Sequence, residues 1–167
     1  MFVLVTGGSG SGKSEFAENM AVSLGGDRTY IAAMIPSGRE SARRIARHRK
    51  AREGKGFNTV ERYTDIKNLD VSGTALLECM SNLAANEMFS DAGAGDNTAD
   101  EILKGIDSLV QKCENLVVLT NEIFSDGIAY DDSTVKYMRA LGKINRAMAQ
   151  KADAVYEVVC SRANRIK

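Results

Sequence analysis

The segment GGSGSGKS, residues 7–14, most constrains what this chain can fold into. It satisfies the pattern GxxxxGK[ST], and it follows an apolar run at residues 2–5 that is typical of a buried parallel strand. Helical spacing of Phe16, Met20 and Leu24 begins directly after it. This order places backbone N–H groups and a helix N-terminus around phosphate oxygens. The segment therefore predicts a phosphate-binding loop rather than a glycine-rich turn that only joins strand to helix.

The positions of this loop have predicted roles in binding a nucleotide. We expect phosphate contacts along the whole segment, from Gly7, Gly8, Ser9, Gly10, Ser11, Gly12, Lys13 and Ser14. The Lys13 amine reaches the terminal phosphates and is a candidate catalytic group, and the Ser14 hydroxyl is a candidate ligand of Mg²⁺.

Two carboxylates follow other apolar runs. Glu78 closes a run at residues 75–77, and Asn121 and Glu122 follow the run at residues 115–120. The carboxyl ends of parallel strands form the edge at which such sheets bind ligands. Glu78 is therefore a candidate for Mg²⁺ or substrate, and Asn121 with Glu122 for substrate or metal. The alternative for each carboxylate is an ordinary loop position.

Strand and helix patterns alternate along the whole chain. We predict strands at residues 2–5, 29–34, 59–63, 74–80, 115–120 and 154–160, and helices at 14–24, 41–52, 81–89, 99–113 and 132–151. Apolar strands that alternate with helices indicate a mostly parallel sheet covered on both faces. The predicted fold is thus an α/β nucleoside triphosphatase fold with a phosphate-binding loop, in one domain over residues 1–167.

Composition excludes some partners. The 22 basic and 22 acidic residues leave no net charge, and five phenylalanines and five tyrosines with no tryptophan offer few platforms for stacking bases. A nucleic-acid motor is therefore disfavoured. Cys79, Cys113 and Cys160 lack metal-ligand or disulfide spacing, which indicates reduced thiols. No apolar run has the length of a membrane span or a signal-peptide core, so we expect a soluble, cytoplasmic protein.

The only histidine, His48, lies among arginines on the helix predicted at residues 41–52. Arg44 and Arg52 share its face at i−4 and i+4, with Ile45 beside them. Such cations attract a polyphosphate and oppose protonation of an imidazole, and a neutral imidazole is a competent nucleophile toward phosphorus. The segment can thus supply a covalent phosphoryl or nucleotidyl transfer site. A solvated basic helix that happens to contain a histidine is the alternative.

A series of short motifs resembles one enzyme family. From Thr6 to the end the chain carries, in order, TGGxxSGKS, YIA, RIxxHRxxR, TVE, LLEC, LTNE and GxxNxxxAxxAD. This series is similar to the bifunctional adenosylcobinamide kinase and adenosylcobinamide-phosphate guanylyltransferase family of cobalamin biosynthesis. The resemblance implies phosphorylation of adenosylcobinamide by ATP or GTP, followed by transfer of GMP from GTP through a guanylylated histidine. By motif position that histidine is His48.

The resemblance also implies nucleotide contacts beyond the loop. These fall on Ala33, Met34, Arg49, Lys50, Ala51, Arg52, Glu61 and Glu78. A carboxylate such as Glu61 or Glu78 can select guanine, which presents N–H donors on its Watson–Crick edge. The resemblance further implies a homotrimer in which neighbouring subunits help to build the substrate cleft, and the composition indicates that the protein binds no nucleic acid.

The sequence departs from the family pattern in three places. Residues 124–131 replace a glycine-rich turn and proline, the pair Asn145 and Arg146 replaces asparagine and glutamine, and residues 160–165 replace a terminal glycine and proline. The resemblance implies that these regions contact corrinoid or a neighbouring subunit. Two alternatives therefore stay open: a kinase of another small hydroxylated substrate, and a nucleotide-binding but inactive paralogue.

Overall fold

The computed structural model describes residues 1–167 and contains one seven-stranded sheet. Its elements in chain order are β1 Phe2–Thr6, α1 Lys13–Leu24, β2 Arg28–Ala32, α2 Gly38–Ala51, β3 Phe57–Glu61, β4 Thr74–Glu78, α3 Met80–Phe89, α4 Thr98–Lys112, β5 Asn115–Leu119, α5 Asp132–Lys151, β6 Ala154–Val159 and β7 Arg162–Arg165. Every predicted strand and helix is present, with its ends within three residues of the predicted ones.

The strand order is β3-β2-β4-β5-β1-β6-β7. The first six strands in this order are parallel, and β7 pairs antiparallel with β6. The prediction of a mostly parallel α/β sheet is therefore confirmed. Because β1 lies between β5 and β6, the loop after β1 opens at the carboxyl edge of the sheet, beside the ends of β4 and β5.

The edge strand β7 is a correction to the sequence analysis, in which residues 154–160 complete the sheet. Cys160 and Ser161 both have left-handed φ angles, 49° and 59°. Two such residues form the tight turn that a β-hairpin needs, so the chain reverses and adds an exposed antiparallel strand. This turn escapes sequence reading because glycine or asparagine normally occupies such positions.

Each face of the sheet is covered by helices. On one face, Ala17 and Ala21 of α1 pack against alternate strand residues such as Val3, Val5 and Leu76. On the other face, α3, α4 and α5 cover the intervening strand residues through buried side chains that include Leu83, Ile106 and Leu141. Because successive side chains of each strand point to opposite faces of the sheet, the strands contribute to two separate hydrophobic cores, one on each face.

The helix α2 differs from the others because none of its residues, Gly38–Ala51, is buried. It stands at the carboxyl edge of the sheet rather than on a face. None of the five helices is both long enough and apolar enough to cross a membrane. The three cysteines are free thiols, as predicted.

Candidate active site

The loop between β1 and α1 is fixed by close backbone contacts. Gly12, the residue before α1, has a φ angle of 89°, and a Cβ at this position would lie 2.6 Å from Ser161 Oγ. The Ser161 N–H also donates to the Ser11 carbonyl at 2.8 Å. A side chain at position 12 is therefore excluded both by conformation and by the β6–β7 turn. The β6–β7 hairpin, which the sequence does not reveal, thus packs against the phosphate loop.

Lys13 folds back on its own loop. Its Nζ donates to the Gly8 carbonyl at 2.9 Å, and the residue is 8% exposed. Burial is the main cause that lowers the pKa of this amine, and Arg44 acts in the same direction, whereas Cys79 and Glu78 oppose the shift. Because this buried amine has only one carbonyl partner, bound phosphate oxygens would give it further charge-assisted hydrogen bonds.

Glu78 joins three elements at the end of β4. Its Oε1 accepts from the Ser14 hydroxyl at 3.1 Å, and its Oε2 accepts from the hydroxyl of Tyr30 on β2. The Nδ1 atom of His48 lies 3.4 Å from the same Oε1. One carboxylate therefore contacts the phosphate loop, a buried tyrosine and the single histidine. Burial, followed by the Glu78 charge, raises the pKa of Tyr30, so this hydroxyl stays a donor.

Two groups of side chains could hold a metal ion. Ser14 Oγ and Glu78 Oε1 are 3.1 Å apart, and adjacent ligands of an octahedral Mg²⁺ are separated by about 3 Å. The predicted Mg²⁺ ligands therefore fit that ion. Donor atoms of Glu18, His48 and Glu78 also lie within 4.8 Å of one another, but Glu18 forms an ion pair with Lys55 at 2.5 Å.

The phosphate loop and α2 face each other across a cleft of about 590 Å³. Of the predicted site residues, the cleft is lined by Ser9, Gly10, Ser11, Gly12, Lys13, Ser14, Met34, His48, Ala51, Glu78 and Asn121. Arg44 and Arg47 line its α2 side together with His48. The cleft thus brings cations, backbone N–H groups and one imidazole onto the same volume, which is the arrangement that a bound polyphosphate needs.

A second, smaller cavity lies behind His48. Arg52 is 7% exposed, and its guanidinium stacks over the Tyr30 ring with Cζ 3.3 Å from the ring centroid. Its Nη1 is buried without a hydrogen-bond partner. Glu61 and Glu78 also line this cavity, and Arg49 pairs with Glu61 at 2.9 Å. The expectation that Arg52 faces the polyphosphate beside His48 is not met, because Arg52 follows the last residue of α2 and turns inward onto β2.

Other predicted site residues lie outside the cleft. Lys50 lines a groove on the outer side of α2, and Ala33 is fully buried. Gly7 packs against β6, since a Cβ there would lie 2.5 Å from the Val158 carbonyl oxygen. Glu122 lines a separate cavity, where it accepts from the Ser125 hydroxyl. Nucleotide contacts of Gly7, Ala33 and Lys50 would have to come from backbone atoms or from a different position of α2, and the predicted substrate or metal role of Glu122 would lie outside this cleft.

The structure also adds residues that sequence reasoning missed. Tyr30 and Arg47 are the clearest cases, with Glu18 and Asn82 as further lining residues. Glu18 is four residues after Ser14 on the same helix face, a spacing that could have indicated it. Tyr30 carries no such signal, because its hydroxyl reaches Glu78 only through the neighbouring positions of β2 and β4 in the sheet.

Comparison with known proteins decides the family. The model of the family described as cobinamide kinase / cobinamide phosphate guanyltransferase matches residues 3–166. The chain belongs to this family. The chain is 33% identical to the bifunctional adenosylcobalamin biosynthesis protein CobU of Escherichia coli and 30% identical to the protein of the same name from Salmonella typhimurium, and both alignments cover 100% of this chain and of the relative.

A solved structure supports the fold of this family member. An ATPase from the type III secretion system of pathogenic bacteria superposes with a TM-score of 0.56 over 93% of this chain and 51% of that chain. Because the two sequences are only 10% identical, this likeness concerns the fold alone.

Proposed function

We propose that this chain phosphorylates adenosylcobinamide with ATP or GTP and then transfers GMP from GTP to the product through a guanylylated His48. One observation carries the proposal. His48 is 20% exposed and faces the phosphate cleft, with its Nδ1 3.4 Å from the Glu78 carboxylate. An imidazole oriented in this way keeps Nε2 free for attack on phosphorus.

The first transfer uses the phosphate loop. The acceptor hydroxyl oxygen attacks the γ-phosphorus, the hydroxyl proton is released, and the bond to the β,γ-bridging oxygen breaks with ADP or GDP as leaving group. Lys13 and the loop N–H groups stabilise the negative charge that gathers on the transferred group and the leaving group. Ser14 and Glu78 would hold Mg²⁺, which when bound neutralises charge on the β- and γ-phosphates.

The second transfer uses the α2 side of the cleft. His48 Nε2 bonds to the α-phosphorus of GTP, while the bond to the α,β-bridging oxygen breaks and pyrophosphate leaves. A phosphate oxygen of the acceptor then attacks the same phosphorus, the N–P bond breaks, and the imidazole regains its lone pair. Arg44 and Arg47 neutralise the phosphates during both steps.

The small cavity behind His48 supports selection of guanine. Arg52 Nη1 is buried and unpartnered in this position of α2; with α2 displaced it would offer a donor to the O6 atom of guanine, and Glu61 or Glu78 would offer an acceptor to the N1–H and N2–H groups. Adenine presents a donor where guanine has O6, so it would leave Arg52 unpaired.

We include in the proposal a movement of α2 between the two reactions, a homotrimer and a cytoplasmic location. The absence of buried residues in α2 favours such a movement.

The experiment is incubation with Mg²⁺ and α-labelled GTP, followed by denaturation and intact-mass analysis. We expect an acid-labile, base-stable GMP adduct on the wild type and none on His48→Ala. Arg43→Ala serves as control, because Arg43 is an exposed residue of the same helix and should leave the adduct in place. GTP binding without any adduct would contradict the guanylyl step and favour a kinase of another small hydroxylated substrate or an inactive paralogue.

A further inference from the structure

The nucleotide cleft continues into a second open cavity between α2 and α3. This cavity has a volume of about 540 Å³ and is lined by Met34, Ile35, Ser37, Glu40, Ser41, Arg44, Asn82 and Asn86. Met34, Arg44 and Asn82 line both volumes. A ligand in the second cavity can therefore pass these three side chains and place one of its groups beside the phosphate loop. The nucleotide phosphates lie between the loop and α2 and leave this second cavity open.

Some polar side chains around this cavity already have hydrogen-bond partners in the protein, and others have none. Asn86 Nδ2 donates to the carbonyls of Ala33 and Tyr63, and the Ser41 hydroxyl is bonded to Ser37. The structure contains no side-chain hydrogen bond from Asn82 and no ion pair of Arg44. Asn82 is half-buried and also lines the cavity behind His48, so its amide stands where three volumes meet.

We infer that this cavity, which we term the acceptor cavity, receives the hydroxyl-bearing or phosphorylated end of the acceptor in both transfers, and that Asn82 and Arg44 bind that end. The inference rests on the proposed function and adds where the second substrate lies. An asparagine amide carries both a donor and an acceptor. Its Oδ1 can accept from an alcohol before the first transfer, and its Nδ2 can donate to the phosphate monoester that replaces it. The Arg44 cation favours the phosphorylated form.

The other open cavity near the sheet edge suits this role poorly. It is lined by Glu122, Ser125, Asp126 and Tyr130, among others, and shares no lining residue with the nucleotide cleft. Its two carboxylates have no basic residue beside them and would repel a phosphate monoester, whereas the acceptor cavity has Arg44 as well as its single carboxylate, Glu40. An acceptor bound there would have no direct path to the γ-phosphorus or to His48.

The test uses Asn82→Leu, which keeps the approximate size of the side chain and removes its hydrogen bonds. Three quantities are measured: GMP adduct formation with GTP alone, discharge of the adduct by cobinamide phosphate, and the KM of cobinamide in its phosphorylation. We expect discharge to fall by about tenfold or more relative to adduct formation in the same protein, and the KM of cobinamide to rise by a similar factor. Asn68→Leu, the same change at an exposed asparagine that lines none of these cavities, should change neither the ratio nor the KM.

Asn82→Asp provides a second variant. A carboxylate can still accept from the alcohol but repels the phosphate monoester, so we expect a selective loss of discharge with a smaller change in the KM of cobinamide. Wild-type values for both quantities in both variants would overturn the inference. Equal loss of adduct formation and discharge, or a selective loss in Asn68→Leu, would overturn it as well.

The outcomes separate this inference from the proposed function. An adduct on the wild type with Asn82 variants that discharge normally would refute the acceptor cavity alone. A wild type that forms no adduct but whose Asn82→Leu variant raises the KM of cobinamide would refute the guanylyl step alone. A wild type that neither binds nor phosphorylates cobinamide would refute both.

Discussion

The phosphate loop and α2 supply the two sides of one cleft, yet they are held in opposite ways. The loop follows a strand whose first four residues are buried, leads into a helix packed on the core, and contacts the β6–β7 turn. No residue of α2 is buried, and its position depends on contacts such as Arg52 on Tyr30 and Arg49 with Glu61. The difference indicates that phosphate is bound by a backbone loop packed against the core, whereas the nucleophile lies on a helix that is lightly held, that is, without buried residues.

The largest effect should come from the rigid side. Lys13→Ala removes the cation aimed at the phosphates, and we expect both transfers to fall by on the order of 10²–10³-fold. Because burial lowers the pKa of Lys13, the charged amine is disfavoured in the unliganded fold. The free energy of unfolding should therefore not decrease. Activity assays and denaturant unfolding would check this, with Lys143→Ala, a surface lysine paired with Asp100, as control.

A Lys13→Ala variant that retained one transfer would show that the two reactions do not share the loop. That result would contradict the view that the loop binds phosphate for both reactions, since α2 would then bind the phosphates of one reaction without the loop.

The next effect concerns the inward turn at the end of α2. Arg52→Lys keeps the charge but loses the flat group that stacks on Tyr30 and the additional N–H donors. We expect the preference for GTP over a labelled ATP in adduct formation to fall by about 30-fold, or roughly 2 kcal/mol. Arg39→Lys, an exposed position at the start of the same helix, should leave the preference unchanged. Unaltered preference in Arg52→Lys would mean that guanine is read elsewhere.

A matched pair of substitutions measures how differently the two helices are held. Ala21→Gly in α1 loses helix propensity and a fully buried methyl group, so the free energy of unfolding should fall by about 2 kcal/mol. Ala46→Gly lies on the exposed surface of α2, and we expect a loss of at most about 1 kcal/mol. Urea unfolding of both variants would check this. Equal losses would indicate that α2 unfolds with the core and is not lightly held.

The smallest effect concerns the tyrosine that orients Glu78. Tyr30→Phe removes one hydrogen bond and keeps the ring under Arg52, which should cost about 1 kcal/mol of stability at neutral pH. Tyr63→Phe removes a comparable bond to the exposed Glu61 and should cost less than about 0.5 kcal/mol.

The same pair of variants has an expected dependence on pH. The pKa of Tyr30 in the fold is raised above its ordinary value of about 10, so the stabilisation is complete below that value. As the pH rises past about 10, Tyr30 ionises only in the unfolded chain, and wild-type stability should decline. Tyr30→Phe should show a shallower decline in unfolding experiments between neutral and alkaline pH. Parallel curves for wild type and Tyr30→Phe would contradict the assignment of this shift to Tyr30.

The sequence by itself determined six of the seven strands, the five helices and the phosphate loop, because these depend on local periodicity and on short motifs whose glycines fix the backbone. The motif series also indicated His48 as the nucleophile candidate. The tertiary structure alone decided which side chains meet. Tyr30 reaches Glu78 through the pairing of β2 with β4, Arg52 turns away from the cleft, and Asn82 stands where three cavities join. Such contacts join residues far apart in the chain, and no local pattern encodes them because they arise only when the strands take their order in the sheet.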